Sequence, residues 1–194
     1  MYQSSAAFTE LVQKDSRTFR SKLILGENEI ESGIKSITLK GGSNSGTSFI
    51  IGSCISQYIE VEMSKQTILI ENEELEWRIG ANISDTVEEY ISMGFFTANK
   101  PEADEDMVKF TAFDRMMKTE RAYFSSLPAS TTTVAVLKEM STFLNIPIVT
   151  TGLSTITIKR PDGYTCREVL SYISQMYAGF AICNRQGQIE ICSI

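Results

Sequence analysis

The sequence of 194 residues contains no histidine, and its four cysteines include no C-x-x-C pair. A Ser-His or Cys-His nucleophile needs an imidazole base, and most zinc sites need a cluster of cysteine and histidine ligands. The sequence therefore excludes these nucleophiles and argues strongly against such a zinc site. We predict a protein that is not an enzyme, with no catalytic, cofactor-binding or metal-binding residues and no cofactor.

The cysteines are also poorly placed for a disulfide. Cys183 and Cys192 lie on opposite arms of a predicted hairpin that turns at residues 184–187. Cys192 then lies about four residues beyond the position opposite Cys183, on the order of 13 Å away at the rise of a strand. A disulfide needs Cα atoms within about 7 Å of each other. We expect four reduced, mostly buried thiols.

Long apolar runs and an excess of positive charge are absent too. No apolar run approaches the roughly 20 residues that a membrane span requires, and residues 1–20 do not resemble a signal peptide. We therefore predict a protein that is made in a cytosol and has no membrane span. The net charge is −6, which argues against nucleic-acid recognition through phosphate neutralisation. Hydrophobic residues make up 42% of the chain, which is enough for a real core.

The chain is organised around residues 47–63, which read as a strand, a break at Gly52-Ser53, and a second strand with one buried face. Further strands are predicted at residues 19–25, 30–39, 67–70, 75–83 and 107–113. Residues 84–93 suit either a helix capped by Ser84 or Asp85, or a strand with a bulge, and we favour the strand. Seven to nine strands before residue 120 are typical of an antiparallel barrel or sandwich.

Helical signals dominate the ends of the chain. Ser4 or Ser5 can cap a short helix whose face carries Phe8, Leu11 and Val12. A second helix, capped by Ser130 or Thr131, carries Val134, Leu137, Met140, Phe143 and Leu144 and stops at Asn145. A third begins at a capping box of Thr165 and Glu168, turns Val169, Leu170, Ile173 and Met176 inward, and stops at Gly179. A strand at residues 156–158 and a hairpin of residues 180–183 and 188–192 complete this part.

The predicted fold class is α+β and mostly β: an antiparallel β-barrel or sandwich domain followed by a small α/β domain with two helices and a C-terminal hairpin. We divide the chain into an N-terminal helical arm (1–17), the β domain (18–125) and the small α+β domain (126–194). Because Ile194 follows directly on a strand, we expect a longer protein to continue past it.

Three stretches have a superficial likeness to ligand sites. Residues 41–48, GGSNSGTS, have the glycine spacing of a phosphate loop but lack its lysine and enter a strand instead of a helix, so we favour a flexible inter-strand loop. The acidic clusters lack the spacing that wraps calcium, so solvated loops are favoured. These clusters are Glu71/Glu73/Glu74/Glu76 and Glu102/Asp104/Glu105/Asp106.

Two further sets of residues allow a functional interpretation. Asp114 beside Arg115, with Glu120 and Arg121, can be read as a general acid and its partners, but ion pairs of this kind are more often structural. Aromatic residues can form a sugar-binding platform, although aromatics at strand spacing more often lie in a core. The aromatic residues considered are Tyr58, Trp77, Tyr90, Phe95, Phe96, Tyr123 and Phe124.

Eight segments, taken in their order along the chain, carry a resemblance to a known family. They are SRTF (16–19), IKSITL (34–39), FIIGS (49–53), YIEV (58–61), EYISMGFF (89–96), FTAFDRM (110–116), TCREVLSYI (165–173) and FAICNRQG (180–187). Their order resembles the N-terminal half of phage tail hub proteins. This is the tail-associated or baseplate hub family of siphophages and prophages, related to the hub of contractile tails and to the base of type VI secretion spikes.

The resemblance implies a late, structural protein of the virion tail, assembled in the cytoplasm of a bacterial host. Such proteins form a trimeric ring with two barrels per subunit, and the ring joins the tail tube to a spike or fibre. The first barrel would correspond to residues 18–125, and the chain stops about where a second would begin. Implied partners are further copies of the chain, distal tail and tail tube proteins, and spike or fibre proteins.

Two other classes of function remain open. A carbohydrate-binding or other cell-surface binding module would use exposed aromatic residues and bind cell-wall glycan saturably. A wall hydrolase would need a catalytic constellation that this sequence lacks. Hub-like proteins can carry such an activity in a downstream domain, which would lie beyond Ile194.

Overall fold

A computed structural model describes residues 4–14, 18–41, 50–66, 70–84 and 87–193. In chain order the elements are α1 (Ala6–Val12), β1 (Arg20–Leu25), β2 (Asn28–Ile30), β3 (Ile34–Gly41), β4 (Cys54–Ile55), β5 (Gln57–Ser64), β6 (Glu74–Ser84), β7 (Val87–Ala98), β8 (Glu102–Ala103), β9 (Met107–Asp114), a 3-10 helix (Arg115–Glu120), β10 (Ser130–Thr132), α2 (Thr133–Leu144), β11 (Thr157–Lys159), α3 (Cys166–Met176), β12 (Gly179–Cys183) and β13 (Ile189–Ser193). The predicted fold class, α+β and mostly β, is confirmed.

The largest sheet has the strand order β2-β1-β6-β7-β9-β5-β3, with β8 beside β9. The pairs β1–β2, β1–β6, β6–β7 and β8–β9 are antiparallel. β7 confirms the strand with a bulge: Trp77 pairs with Gly94 but Arg78 pairs with Ser92, so the residue between them is extra. Gly94 has a φ of +136°, which a side chain would disfavour.

Two strand predictions differ from the structure. Ile50 and Ile51 are not in a strand; they precede a turn at Gly52 and are 64% and 46% exposed. Gly52 explains the turn, because its φ of +89° is unfavourable for other residues. The predicted strand over residues 30–39 is divided: β2 pairs with β1, whereas β3 lies at the far edge of the sheet beside β5. Residues 67–69 lie outside the described residues, and Ile70 is buried without being in a strand.

The contacts divide the chain into two compact units. The first contains residues 1–38 and 60–112, and the second contains residues 39–59 and 113–194. The predicted domain boundaries at residues 17 and 125 stay a prediction. The core of the first unit is apolar and fully buried, and it includes Leu23, Val61, Met63, Leu75 and Phe96.

Helix α1 begins as predicted, because the Ser5 hydroxyl accepts a hydrogen bond from the backbone N–H of Phe8. Only Phe8 of the predicted apolar face is buried; Val12 is exposed. The Phe8 ring lies 6.4 Å from that of Phe19, in the segment that leads into β1.

The core of the second unit is formed by α2, α3 and the hairpin β12–β13. The capping box of Thr165 and Glu168 is present, and the hairpin is confirmed. β4 adds to β12 in parallel, a pairing that local sequence does not predict. Buried side chains of these elements include Val136, Leu137, Met140, Val169, Leu170, Ile173, Ala181, Ile189 and Ile191.

Helix α2 does not start at the predicted cap. Ser130 and Thr131 lie in β10, paired with Lys159 and Ile158, so Thr132 is the cap. The helix stops at Asn145, as predicted, in the left-handed conformation. Phe143, predicted to face inward, is 37% exposed.

Helix α3 ends earlier than predicted. Its last residue is Met176, and Ala178 takes the left-handed conformation expected near Gly179, which is instead the first residue of β12. Met176, predicted to face inward, is the last residue of the helix and is 48% exposed.

The four cysteines are free, and Cys166 and Cys183 are buried. Cys183 pairs across the hairpin with Ile189, whereas Cys192 pairs with Phe180. The register therefore keeps the two hairpin thiols apart, as the spacing predicts.

Candidate functional site

Asp114 is a capping residue. It ends β9 and is 3% exposed. One carboxylate oxygen accepts a hydrogen bond from the backbone N–H of Met116 at 3.1 Å, and the other accepts from that of Gln57 at 2.7 Å. Burial raises the pKa of Asp114 to about 6, although these hydrogen bonds and Arg167 act in the opposite direction. Both oxygens bind main-chain groups, so the carboxyl stabilises the fold.

The other charged residues near Asp114 do not form an acid pair with it. The Arg115 guanidinium donates to the carbonyl of Gly187 at 2.9 Å, and Arg121 lies 5.2 Å from the centre of the Phe143 ring. Glu120 forms an ion pair with Arg167 of α3 at 3.1 Å. These contacts support the structural interpretation of the set.

Arg167 is a contact residue that the sequence analysis missed. Its guanidinium donates to the carbonyl of Cys54 at 2.5 Å and to the Ser56 hydroxyl at 3.1 Å. Together with the Glu120 ion pair, these bonds attach α3 to β4 and to the 3-10 helix. Within a helical pattern, an arginine of this kind has no signal that separates it from a solvated surface residue.

The loops considered as ligand sites give no such site in the described chain. Only Gly41 of residues 41–48 is described, at the end of β3; the rest lie outside the described residues. Glu76 is ion-paired with Arg78 at 2.7 Å, and Asp104 accepts a hydrogen bond from the backbone N–H of Glu105. Among the described residues, no group of three or more acidic or cysteine side chains is placed to hold a metal ion.

Three of the seven aromatic residues considered as a platform lie in the cores: Trp77, Phe96 and Tyr123 are buried. Tyr58, Tyr90 and Phe95 are partly buried, and Tyr58 packs against Phe113 with ring centres 5.8 Å apart. Phe124 has 76% of its surface exposed. The three buried rings cannot contact a sugar, so the predicted set does not act as one platform.

Phe124 lies in a segment that Glu139 of α2 holds tightly. The Glu139 carboxylate accepts hydrogen bonds from the hydroxyls of Tyr123 and Ser125 at 2.5 and 2.7 Å. It also accepts from the backbone N–H and hydroxyl of Ser126, each at 2.8 Å. Burial raises the pKa of Glu139, but these hydrogen bonds outweigh it and lower that pKa to about 2. The segment thus presents an exposed aromatic side chain on an anchored backbone.

A candidate binding site is a groove beside α3, which we call the tyrosine groove. It has a volume of about 530 Å³, within the range of ligand pockets. Buried Val169 and Ile173 of α3 contribute to its lining. Tyr164 and Tyr172 line it with edge-to-face rings 5.4 Å apart, and both are more than 40% exposed. The remaining lining residues are Ile158, Lys159, Arg160, Pro161, Asp162 and Met176.

The sequence contains a usable signal for this groove. Tyr164 precedes the capping residue Thr165, and Tyr172 lies about 60° around α3 from the buried Val169, at the border of the buried stripe. An exposed tyrosine beside an apolar stripe is a candidate contact residue, because its ring is apolar and its hydroxyl is polar. Neither tyrosine is among the aromatic residues predicted as a platform.

No helix in the described ranges is both long and apolar enough to cross a membrane. A scan of protein-family models finds no match to this chain, and a search of curated proteins finds none.

Solved structures do resemble the chain. One is the 43 kDa tail protein of prophage MuSo2 from Shewanella oneidensis, with a TM-score of 0.61 and 11% identity over 92% of this chain and 56% of that protein. Another is the tail protein from Neisseria meningitidis MC58, with a TM-score of 0.63 and 9% identity over 89% of this chain and 50% of that protein. At these identities the likeness shows a shared fold, and this chain spans about half the length of the two proteins.

Proposed function

We propose that this chain is a structural component of a phage or prophage tail. The observation that carries the proposal is the fold: two solved structures that share it over about nine-tenths of the chain are both tail proteins. A fold alone does not determine function, but here two neighbours agree with the resemblance found in the sequence.

The finer proposal is a tail tip or baseplate hub. In it, the chain forms part of a ring that joins the tail tube to a central spike or fibre, with distal tail, tail tube and spike or fibre proteins as its partners. Support comes from the order of segments in the sequence and from a β-rich unit combined with a second unit that contains two helices and a hairpin. We propose that the full-length protein self-associates as a trimer in the virion tail.

The role we propose is not enzymatic. The carboxylates that resemble a catalytic pair have other partners: Asp114 binds two backbone N–H groups, and Glu120 is paired with Arg167. Catalysis in a retaining or inverting glycosidase needs two carboxyl groups that face one substrate. The arrangement of these two supports a structural role.

Deletion of the gene from the phage or prophage that encodes the chain tests the tail assignment. Electron micrographs should show particles with absent or defective tails, and expression of the chain in trans should restore normal tails and infectivity. Normal, infective tails after deletion would refute the assignment.

The hub proposal is tested by light scattering after gel filtration. The method is applied to this chain and to a version extended past Ile194. A ring-forming extended protein should have three times its monomer mass. The 21.6 kDa chain would elute at about 65 kDa if its own contacts suffice, which is three times 21.6 kDa. Monomers of both versions would contradict the ring but leave the tail assignment intact.

A second candidate function is carbohydrate binding without catalysis, which the two exposed tyrosines of the tyrosine groove favour. It predicts saturable binding to purified cell wall that is lost in Tyr172→Ala and retained in Phe124→Ala. If no saturable binding is found, carbohydrate binding is refuted and the structural role is the one proposal that stays.

A further inference from the structure

One edge of the large sheet is only half covered. β2 pairs with Leu23, Ile24 and Leu25, the second half of β1. The first half, residues 20–22, pairs with β6 on one side, and no strand in the described parts of the chain pairs with its other side. Unpaired backbone groups at such an edge are a template for another strand.

The other edge of the sheet lies across a cleft from this one. β3 is the last strand in the order and is bound to β5 on one side. A cleft of about 540 Å³ separates its first residues from the uncovered half of β1. The lining residues are Phe19, Arg20 and Ser21 near β1, Glu31 and Ser32, Ile34 to Ile37 of β3, and Tyr90.

The dimensions of the cleft match a short piece of extended chain. A strand inserted between two others requires about 9.6 Å between those two strands. Residues 31–33 connect β2 to β3 and can span at most roughly 14 Å from Ile30 to Ile34, so this connection is long enough to allow such a gap. One strand residue occupies about 4.8 by 3.3 by 10 Å, or roughly 160 Å³. The cleft therefore takes about three residues, and three residues of β1 are uncovered.

The direction of the backbone groups can be inferred from the hairpin. Leu25 and Asn28 flank the two-residue turn of β1–β2, so their backbones bond to each other. Backbone groups along an antiparallel strand alternate between its two neighbours. The N–H and C=O of Ser21, four residues before Leu25, therefore point into the cleft.

The charges around the cleft are already paired. Arg20 is bound to Glu88 at 2.6 Å, Glu31 to Lys22 at 2.5 Å, and Lys35 to Glu62 at 2.8 Å. The apolar lining comes from Phe19, Ile34 and Ile37, and Phe19 is 41% exposed. Charge complementarity consequently favours an occupant without charged side chains at the inserted positions, since any new charge would compete with an existing ion pair.

We propose that this cleft receives an uncharged, extended segment of a partner polypeptide, which adds as a strand between β1 and β3. The segment would continue the line of β2, exchange backbone hydrogen bonds with Ser21 and with the outer edge of β3, and place an apolar side chain among Phe19, Ile34 and Ile37. Strand addition of this kind gives affinity through backbone bonds and selectivity through alternate side chains. The proposal does not depend on the assignment to a tail.

Two peptides and two variants test it. The probe is a peptide of about ten residues that alternates valine and threonine, with a lysine at each end. Its control carries N-methyl groups on the central residues, so the backbone of those residues cannot donate hydrogen bonds. Ser21→Pro removes the N–H that faces the cleft, and Ser21→Ala retains it. Thermal unfolding of both variants is measured first, to establish that each is folded.

In a titration of isotope-labelled protein, the probe should shift the amide signal of Ser21 and slow its hydrogen exchange. The N-methylated peptide and Ser21→Pro should each weaken binding at least about tenfold, and Ser21→Ala should bind as the unchanged protein does. Equal binding of the two peptides, or no binding of the probe, would overturn the proposal. The mass of the protein in solution without peptide is a further test. If this mass rises with protein concentration and Ser21→Pro reduces the rise, the occupant of the cleft is a second copy of the chain, and the proposal of a different partner polypeptide is overturned.

Discussion

Replacement of Glu139 by glutamine should destabilise the second unit, because this carboxylate accepts four hydrogen bonds from residues 123–126. An amide in its place has one acceptor oxygen, and its NH₂ group faces donors. The four bonds hold the backbone on both sides of Phe124, so their loss affects the whole segment.

The magnitude follows from the pKa of Glu139, which lies at about 2 instead of the ordinary 4.5. A shift of about 2.5 units corresponds to about 3.4 kcal/mol at about 1.4 kcal/mol per unit. The carboxylate is only partly buried, so solvent screening reduces this, and we expect a loss of about 2 kcal/mol. For a chain of this size that lowers the melting temperature by about 4–8 °C.

Urea unfolding at neutral pH, followed by circular dichroism, measures this loss. Lys138→Gln is a matched control, because it removes a charge from the neighbouring, exposed position of α2. Because the pKa of Glu139 is lower in the folded protein than in the unfolded chain, this carboxylate stabilises the fold fully at pH values above the unfolded pKa of about 4.5. Its contribution is lost as the pH falls through about 2. The difference between the unchanged protein and Glu139→Gln should therefore shrink over that range. A neutral-pH difference below about 0.5 kcal/mol, or one that does not shrink in acid, would refute the reasoning.

Three further substitutions give defined expectations. Burial raises the pKa of Asp114 to about 6, above its ordinary 3.8. The free energy of unfolding should therefore rise by about 2–3 kcal/mol, through this group, as the pH falls from 7 to 4. Urea titrations at several pH values should show that Asp114→Asn abolishes this rise. The lysine in Arg167→Lys cannot reproduce the forked hydrogen bonding of the guanidinium that reaches the carbonyl of Cys54. Urea titration should therefore show a free energy of unfolding lower by about 1–2 kcal/mol. An unchanged urea midpoint would contradict a stabilising role of this contact. In Gly80→Ala the new Cβ would lie 2.4 Å from the ring of Tyr90, so thermal unfolding should show a stability lower by about 1–3 kcal/mol. The same substitution should cost less in a protein that already carries Tyr90→Ala.

Local sequence was sufficient where one segment determines its own structure. The alternation in residues 107–113 gave β9, and the capping box of Thr165 and Glu168 gave the start of α3. The strand with a bulge at β7 was predictable from apolar alternation interrupted by Gly94. In each case, the physical signal lies within a few residues of the element.

Pairings between distant segments were not predictable in this way. The parallel addition of β4 to β12 and the position of β3 at the far edge of the sheet depend on contacts that no local pattern encodes. Ile50 and Ile51 have high strand propensity, yet the turn at Gly52 keeps them out of the sheet. Tertiary context overrides propensity in these places.

The candidate site was less predictable than the fold. The aromatic residues predicted as a platform are distributed between the cores and the surface, whereas Tyr164 and Tyr172, which were not among them, line the groove. The cleft beside β1 arises because β2 is only three residues long and the chain bends at residues 32–33 before β3. Sequence periodicity does not determine where a strand pair stops.

Quantitative mass spectrometry of purified particles tests the central claim most directly. Particles from the phage or prophage that encodes the chain would be washed, separated into heads and tails, and digested. The account predicts peptides of this chain in the tail fraction, at a fixed number of copies per particle. Washed particles without the chain, with the chain recovered only from the host fraction, would contradict it.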